Sequence, residues 1–398
     1  MWIGSVFNYL KIQNRHERWL VGCLDLILEP VAGIRRIREI PRRNASPARI
    51  LLLRLERIGD LLMTVQALQC IRRRAPEAHI RLVVGSWNAN LAELLSDVDH
   101  VETVDAPWLS REGTCSSLQH IAQTALGWSQ EQFDLGINFE PDIRTNGLLA
   151  SSGATRRVGW ATGGGGAFLT DALHYDLNSH TTLNAQRLVD HALPEESAPS
   201  TATKQEPLTL PSSARNLATL HLAECEQTGP IVGINPGCGR SIKQWPSQRF
   251  GQLAAFLSRL EGATIVLLGA EHERPLTDAI KRSMPENAKV VDLVGTSLIE
   301  LAAVLQRLSV LITGDTGPMH LAAAVDTPTV ALFGPSDPKR YAPLHPDTRV
   351  VNTSLWCRPC GLIRQPPTRC QNRTPDCIEG ISVERVLDET RMLLSGQP

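Results

Sequence analysis

Apolar residues in this chain alternate between short continuous runs and longer stretches with helical spacing. The runs ILLLRL at residues 50–55, ATIVLLG at 263–269 and Thr329–Phe333 are bounded by turn residues, which is typical of strands buried on both faces of a parallel sheet. Between such runs, residues 61–74 and Ser247–Leu260 repeat apolar positions every three to four residues, which predicts helices. We therefore predict an α/β fold built from doubly wound parallel sheets.

The chain length sets the expected number of domains. With 398 residues, the chain suffices for two α/β domains of ordinary size. The segment Glu195–Ser213 is rich in Pro, Ser and Thr, so we predict that it links them. We assign residues 49–200 to a first domain and residues 213–380 to a second. A C-terminal helix within residues 381–398 is expected to cross back to the first domain.

Residues 1–48 precede this pattern and form an extension. The apolar stretch Trp19–Ile34 favours an amphipathic helix, and Asp25, Glu29 and Pro30 interrupt it, so no membrane span is predicted. One interpretation is an anchor on a membrane surface, with arginines facing anionic headgroups; the other is a helix packed on the domain, followed by a solvated basic linker. The arginines concerned are Arg35, Arg36, Arg38, Arg42 and Arg43.

Composition narrows the possible partners and compartments. The chain has 40 basic and 41 acidic residues and a net charge of −1, which gives no general argument for nucleic-acid binding. No basic segment followed by a clean apolar core begins the chain, so no secretory signal is predicted. We expect a cytoplasmic protein, attached peripherally to a membrane surface if the extension is an anchor.

The segment Ile312–Pro338 carries the strongest functional signal. Residues 314–318, with the sequence GDTGP, connect a predicted strand to a predicted helix at residues 319–325. A helix N-terminus at the carboxyl end of a parallel strand is a common site for phosphate-bearing ligands. His320 lies in the first turn of this helix, within reach of the same ligand. The sequence therefore predicts a phosphate or diphosphate site here.

Two further loops supply candidates for the same ligand. In Asn235–Pro246, glycines including Gly239 give backbone access and Lys243 offers a mobile positive charge suited to phosphate. The alternative for Lys243 is an exposed loop lysine. Glu271 follows the run at 263–269, where its carboxylate can accept hydrogen bonds from ribose hydroxyls; the alternative is a solvated surface residue.

Asp60 follows the first predicted strand, in the loop Glu56–Asp60. It is a candidate general base, and its alternative role is to cap the N-terminus of the next helix. No G-x-G-x-x-G follows this strand and no G-x-x-x-x-G-K-[ST] occurs in the chain, which argues against a dinucleotide site of the NAD type and against a P-loop NTPase.

Four cysteines near the C-terminus follow the pattern Cys357-x2-Cys360-x9-Cys370-x6-Cys377. Four thiols that open with C-x-x-C suit tetrahedral coordination of a structural zinc or iron ion. Unligated thiols are the alternative, and disulfides are less expected in a reducing compartment.

Three segments together resemble glycosyltransferase family 9, the ADP-heptose:lipopolysaccharide heptosyltransferases. They are LLLRLERIGDLLMTVQALQCIRRRAPEAHIRLVV, PGCGRSIKQWPSQRF and TGDTGPMHLAAAVDTPTVALFGPSDP. The resemblance runs from about Arg49 to Leu394. It implies a GT-B fold, in which two Rossmann-like domains face each other across a cleft and the second binds the donor.

The resemblance also implies a reaction and a role for each candidate residue. Asp60 would deprotonate the acceptor, Lys243 would bind the donor diphosphate, and Glu271 would contact the ribose. The donor phosphates or sugar would be held by Asp315, Thr316, Gly317 and His320. The implied activity is inverting, metal-independent transfer of heptose from ADP-L-glycero-D-manno-heptose to a lipopolysaccharide core or related glycan.

Two departures from the family keep alternatives open. Cys238 and Gly239 stand where many relatives carry hydroxyl residues, so backbone N–H groups would have to replace them. The cysteine cluster is reminiscent of protein-modifying members with a cysteine-bound iron. The alternatives are another nucleotide sugar, a protein acceptor, or a non-catalytic scaffold that binds sugar nucleotides.

Overall fold

The computed structural model describes residues 7–38, 47–109, 116–194, 208–223, 225, 229–360 and 368–396, with side chains omitted over 31–38. The chain divides into two compact units, and the boundary falls between Gln205 and Glu206. This boundary and most of the expected linker lie in residues 195–207, outside the described residues, as do Arg42 and Arg43.

The first unit contains, in its described residues, a six-stranded parallel sheet with the order β3-β2-β1-β4-β5-β6. Leu51 and Leu53 on the central strand pack with Trp128 and Phe133 in one apolar cluster. The elements are α1 (Arg15–Arg38), β1 (Arg49–Arg54), α2 (Ile58–Leu62), α3 (Val65–Arg74), β2 (His79–Val84), α4 (Ala89–Ala92), β3 (His100–Thr103), α5 (Leu118–Gly127), β4 (Leu135–Asn138), α6 (Ile143–Ser151), β5 (Arg156–Trp160), β6 (Asp171–Leu173) and α7 (Thr181–Ala192).

The second unit repeats this winding, with the described strands in the order β12-β11-β10-β7-β8-β9. The buried residues Trp245, Phe250 and Ile312 belong to its main apolar cluster. The elements are α8 (Ser212–Leu222), β7 (Ile231–Asn235), α9 (Ser247–Leu260), β8 (Thr264–Leu267), α10 (Arg274–Arg282), β9 (Val290–Asp292), α11 (Leu298–Leu305), β10 (Val310–Gly314), α12 (Gly317–Ala324), β11 (Thr329–Phe333), α13 (Pro338–Tyr341), β12 (Thr348–Asn352), α14 (Asp376–Glu379) and α15 (Val383–Leu394).

Both sheets confirm the predicted doubly wound α/β architecture. In each unit the first strand lies at the centre, between the second and the fourth, so the winding direction reverses beside it. In such sheets ligands bind beyond the carboxyl ends of the strands at this reversal point. The two reversal points are β1 with β4 in the first unit and β7 with β10 in the second.

The predicted helix at 61–74 is wrong in its start and its continuity. The structure has two helices, α2 and α3, interrupted at Met63 and Thr64, and the first begins at Ile58. Arg57 caps α2 with an extended backbone, and the Asp60 carboxylate accepts its N–H. The Thr64 hydroxyl donates to the carbonyl of Asp60 at 2.9 Å, a local bond that competes with helix continuation. Asp60 therefore lies inside a helix and not before it.

The terminal helices pack on different units. The predicted N-terminal helix is present as α1, which packs on the first unit through Val21 and Asp25. Within the described residues, no helix combines the length and the apolar character needed to cross a membrane. Val386 and Leu387 of α15 belong to the apolar core of the second unit. Its expected crossing to the first domain stays a prediction.

Candidate functional site

Asp60 lies at the reversal point of the first sheet, in the segment that follows β1. Its Oδ2 accepts the Arg57 N–H at 3.1 Å, and its side chain is partly exposed. Arg54, buried at the end of β1, donates from Nε to the Asp60 carbonyl at 3.1 Å and holds its guanidinium 3.7 Å from Asp60 Oδ1. The buried Arg54 guanidinium thus fixes the orientation of the Asp60 carboxylate. The exposed side of this carboxylate remains open to a substrate.

Glu140, which the sequence analysis missed, supports the same segment from β4. Its buried carboxylate accepts the backbone N–H groups of Leu55 and Glu56, the latter at 3.0 Å. Burial, and then the charge of Glu56, raise the pKa of Glu140 well above its usual range, while Arg54 partly opposes the shift. Its position in the sequence could have identified it, because Glu140 follows β4 closely, just as the Asp60 segment follows β1.

Two arginines stacked on tryptophans border this segment. The Arg57 guanidinium lies 5.1 Å from the centre of the Trp87 ring, and that of Arg144 lies 4.8 Å from the Trp108 ring. The Trp87 Nε1–H donates to the carbonyl of Glu56 at 2.8 Å, which ties this aromatic wall to the Asp60 segment. Cationic and aromatic side chains of this kind suit polar, ring-shaped ligands.

Lys243 and Asp315 meet at the reversal point of the second sheet. The loops that carry them follow the adjacent strands β7 and β10, and Lys243 Nζ lies 2.6 Å from Asp315 Oδ2. Burial favours a higher pKa for Asp315, but the Lys243 charge and hydrogen bonds from Lys243 and Ser336 outweigh it and lower that pKa. The pair is mostly buried and lies at the reversal point of the second sheet, where ligands commonly bind in such folds.

The other predicted phosphate-binding residues surround the start of α12. The helix begins at Gly317, and the Thr316 hydroxyl lies 3.2 Å from that of Thr313 and does not cap the helix. Thr316 therefore gives the N-terminus of α12 no side-chain cap. Pro318 has no N–H, and the Met319 N–H donates to the Thr316 carbonyl at 3.2 Å, so this turn offers few backbone N–H groups to an anion. His320 is buried in the same helix, adjacent in sequence to this first turn.

The loop before Lys243 is shaped for close packing. A Cβ at Gly237 would lie about 1.9 Å from a Glu273 carboxylate oxygen, so a side chain at this position would require the Glu273 carboxylate to move. Gly239 is exposed in the same loop, at the Lys243 side of the site. Burial, and then the Asp315 charge, raise the pKa of Cys238 to about 12, so its thiol stays protonated and is no nucleophile at neutral pH.

Glu271 and Trp245 both form contacts with groups of the protein itself. The Glu271 carboxylate is exposed and paired with Arg274, 2.6 Å from its Nε, so a ribose would have to compete with this ion pair. Trp245, in the Lys-x-Trp-Pro segment, is buried, and its Nε1–H donates to the carbonyl of Ile381 at 3.1 Å. This tryptophan fastens the loop to the core and does not face a ligand.

The four C-terminal cysteines lie in one neighbourhood. Cys360 Sγ donates to the carbonyl of Cys357 at 3.4 Å, and burial and then the neighbouring Cys360 thiol raise the pKa of Cys377 to about 11. No three potential metal ligands converge on one point in the described part of the chain, which includes all four thiols. Four thiols are a donor set that suits zinc or iron.

The comparisons with known proteins concern the family and the fold. The family model described as "Glycosyltransferase family 9 (heptosyltransferase)" matches residues 125–367. Lipopolysaccharide heptosyltransferase 2 of Salmonella typhimurium is 25% identical over 355 residues, which cover 85% of this chain and 96% of the relative. Lipooligosaccharide heptosyltransferase 2 of Haemophilus influenzae is 24% identical over 305 residues, which cover 74% of this chain and 85% of the relative.

A solved structure shares the fold. The Escherichia coli ADP-heptose lps heptosyltransferase II superimposes with a TM-score of 0.71 at 19% identity, covering 87% of this chain and 99% of the other. This likeness confirms the predicted GT-B class with two Rossmann-like units. With the family model matched over more than half of its length, the chain belongs to glycosyltransferase family 9 (heptosyltransferase) and is an enzyme, a glycosyltransferase.

Proposed function

We propose that this enzyme transfers heptose from an ADP-heptose donor to a hydroxyl of a lipopolysaccharide core or related glycan, with inversion at the anomeric carbon. Lys243, Gly239, Thr316, Gly317 and His320 bind the donor phosphates, Glu271 binds the ribose, and Asp315 binds the donor sugar. Asp60 is the general base. The reaction takes place at the cytoplasmic face of the inner membrane.

The proposed chemistry is a single displacement. The Asp60 carboxylate takes the proton of the acceptor hydroxyl, whose oxygen forms a bond to the anomeric carbon. The bond from that carbon to the diphosphate oxygen breaks, and ADP leaves with the electron pair. Negative charge develops on the leaving diphosphate, and Lys243 and the N-terminus of α12 stabilise it without requiring a metal ion.

The observation that carries the proposal is the position of Lys243. Its ammonium group lies at the reversal point of the second sheet, between the loops after β7 and β10, and beside a helix start that lacks a side-chain cap. A positive charge beside a helix N-terminus is a common arrangement for binding a diphosphate. A non-catalytic scaffold would share this site but would have no use for Asp60.

Ligand-dependent thermal stability tests the donor. ADP, UDP, GDP, NAD and ADP-heptose are added singly to the purified full chain. A ligand at about 100 times its dissociation constant stabilises the folded state by about 2.7 kcal/mol. A selective shift with ADP and ADP-heptose supports the proposal, whereas a shift with UDP or GDP alone contradicts the donor assignment.

We also propose that Cys357, Cys360, Cys370 and Cys377 bind a structural zinc or iron ion. The support is the donor chemistry of four thiols in one short segment that opens with C-x-x-C. The ion would tie the C-terminal loop together and take no part in transfer. Elemental analysis of the purified chain and of Cys357→Ser with Cys360→Ser tests this, and a metal-free wild-type chain with unchanged stability contradicts it.

A further inference from the structure

Helix α1 is fixed to the first unit along one face. Val21 packs in a cluster with Phe7, Leu10, Ile12 and Ile143. Asp25 is buried, and its Oδ1 accepts the N–H of Gly165 at 2.7 Å. Because residues four apart share one face of a helix, Val21 and Asp25 define the side of α1 that faces the domain. The orientation of the helix is therefore determined.

The flanks of α1 and the side turned away from the domain form an apolar, exposed face. Leu20 and Ile27 are 62% and 70% exposed, and Trp19, Leu24 and Leu26 are exposed as well. A surface helix of a globular protein normally has the reverse arrangement, with its apolar stripe toward the core and its polar residues toward water. An apolar face of this size marks a surface that binds a partner or a membrane.

A groove extends this surface into the domain. It has a volume of about 360 Å³ and is lined by Leu20 and Leu24 of α1 together with Ile143, Gly147 and Phe168. Arg144 lies at the groove, but both oxygens of Asp142 bind its guanidinium, at 3.0 Å and 2.6 Å. The groove therefore presents hydrocarbon, with its one cation already neutralised.

The charge of the helix favours a lipid occupant. The last turns of α1, beyond Pro30, contain Arg35, Arg36 and Arg38 and no acidic residue. This bias is local, since the net charge of the whole chain is −1. An apolar face with an aromatic residue, next to a basic segment, is the composition of helices that lie in the plane of an anionic bilayer surface.

We propose that the exposed face of α1 and the adjoining groove form a membrane-binding surface, which lies in the headgroup region of a bilayer that contains anionic phospholipid. The inner-membrane location belongs to the proposed function, whereas this surface follows from the exposure and composition of α1 and of the adjoining groove. The surface would hold the first unit against the bilayer.

Vesicle flotation of the full chain tests this without donor or acceptor, so its failure would leave the transfer reaction unaffected. Vesicles of phosphatidylcholine are compared with vesicles that also contain phosphatidylglycerol. The test variant is Leu20→Glu with Ile27→Glu. The matched control is Leu217→Glu with Leu220→Glu, which places the same charges at residues that are 40% and 74% exposed on α8.

The wild type and the α8 control should bind anionic vesicles at least about tenfold more tightly than neutral ones, and added salt should weaken this binding. The α1 variant should lose at least about tenfold in affinity, with an unchanged melting temperature and unchanged ADP binding. Equal binding by the α1 variant and the wild type would overturn the proposal. So would a wild-type chain that ignores vesicles and instead forms a dimer that the α1 variant dissociates.

Discussion

Lys243 and Asp315 form a mostly buried ion pair, with 2.6 Å between Nζ and Oδ2, at the point where the donor diphosphate is proposed to bind. A diphosphate can bind Lys243 only by sharing or replacing this carboxylate. A carboxylate beside a diphosphate is also repelled by it, so Asp315 is better suited to the hydroxyls of the sugar. The pair therefore couples recognition of the phosphates to recognition of the sugar, and the two residues should behave differently when replaced.

Replacing Lys243 by Ala should weaken ADP binding about tenfold to about a hundredfold. The reason is the loss of one charge-assisted hydrogen bond, of about 1.5–3 kcal/mol. Isothermal titration calorimetry with ADP measures the effect, and Lys281→Ala, which removes a surface lysine of the same unit, is the control. An ADP affinity equal to that of the wild type would remove Lys243 from the site.

Replacing Asp315 by Asn should raise the affinity for ADP. Lys243 then lacks its anionic partner, so ADP should bind several-fold more tightly, since each 1.4 kcal/mol is about tenfold. The affinity for ADP-heptose should rise less than the affinity for ADP, because the sugar loses a carboxylate acceptor. Calorimetry with both ligands separates the effects, and a loss of ADP affinity like that of Lys243→Ala would contradict this division of roles.

Glu140 should prove essential to the stability of the Asp60 segment. Glu140→Ala leaves the N–H groups of Leu55 and Glu56 without their acceptor, at a cost of about 1–3 kcal/mol each. Glu140→Gln retains an acceptor of the same size and should stay much closer to the wild type. Urea unfolding at pH 7 measures both variants, and equal stability of Ala and Gln would refute this role.

The Glu140 carboxyl group should also make the free energy of unfolding depend on pH. Its pKa is raised in the folded state, so between about 4.3, the usual value for Glu, and the raised value the folded chain binds more protons than the unfolded chain. The contribution of Glu140 to the free energy of unfolding therefore falls as the pH rises through this window. The stability of the wild type minus that of Glu140→Gln should be larger at pH 5 than at pH 8, and a difference of the opposite sign would contradict the burial argument.

Trp245 should act on stability and not on ligand binding. Trp245→Ala removes a fully buried indole and its bond to the Ile381 carbonyl, which should cost about 3–5 kcal/mol. Trp356→Ala, at a residue that is 90% exposed, should change stability by less than about 0.5 kcal/mol. Thermal unfolding compares the two, and an ADP affinity that falls in the folded Trp245 variant would make this residue a ligand contact.

Continuous apolar runs made the strands predictable. The run at 329–333 coincides with β11, the predicted helix at Ser247–Leu260 coincides with α9, and the C-terminal helix expected within residues 381–398 is α15. The interruption between α2 and α3 was not predictable from periodicity, because a side-chain bond from Thr64 and the cap at Arg57 decide it.

The residue types of the site could be predicted from the sequence more readily than the contacts between those residues. Lys243 and Asp315 are 72 residues apart, and they meet because β7 and β10 are neighbours in a sheet whose order the sequence does not state. Glu140 was not among the predicted site residues, and it binds backbone groups 84 and 85 residues away. Long-range pairing of strands, and not local sequence, creates both contacts.

The central claim is that Asp60 is the general base of a heptosyltransferase, and transfer by Asp60→Asn tests it most directly. Asn can still accept the Arg57 N–H, so the fold should survive, while the ability to take a proton is lost. Transfer from ADP-heptose to a lipopolysaccharide core glycan should fall about 10²- to 10⁴-fold with ADP affinity unchanged, and Asp278→Asn should behave as the wild type. Transfer by Asp60→Asn at the wild-type rate would contradict the account.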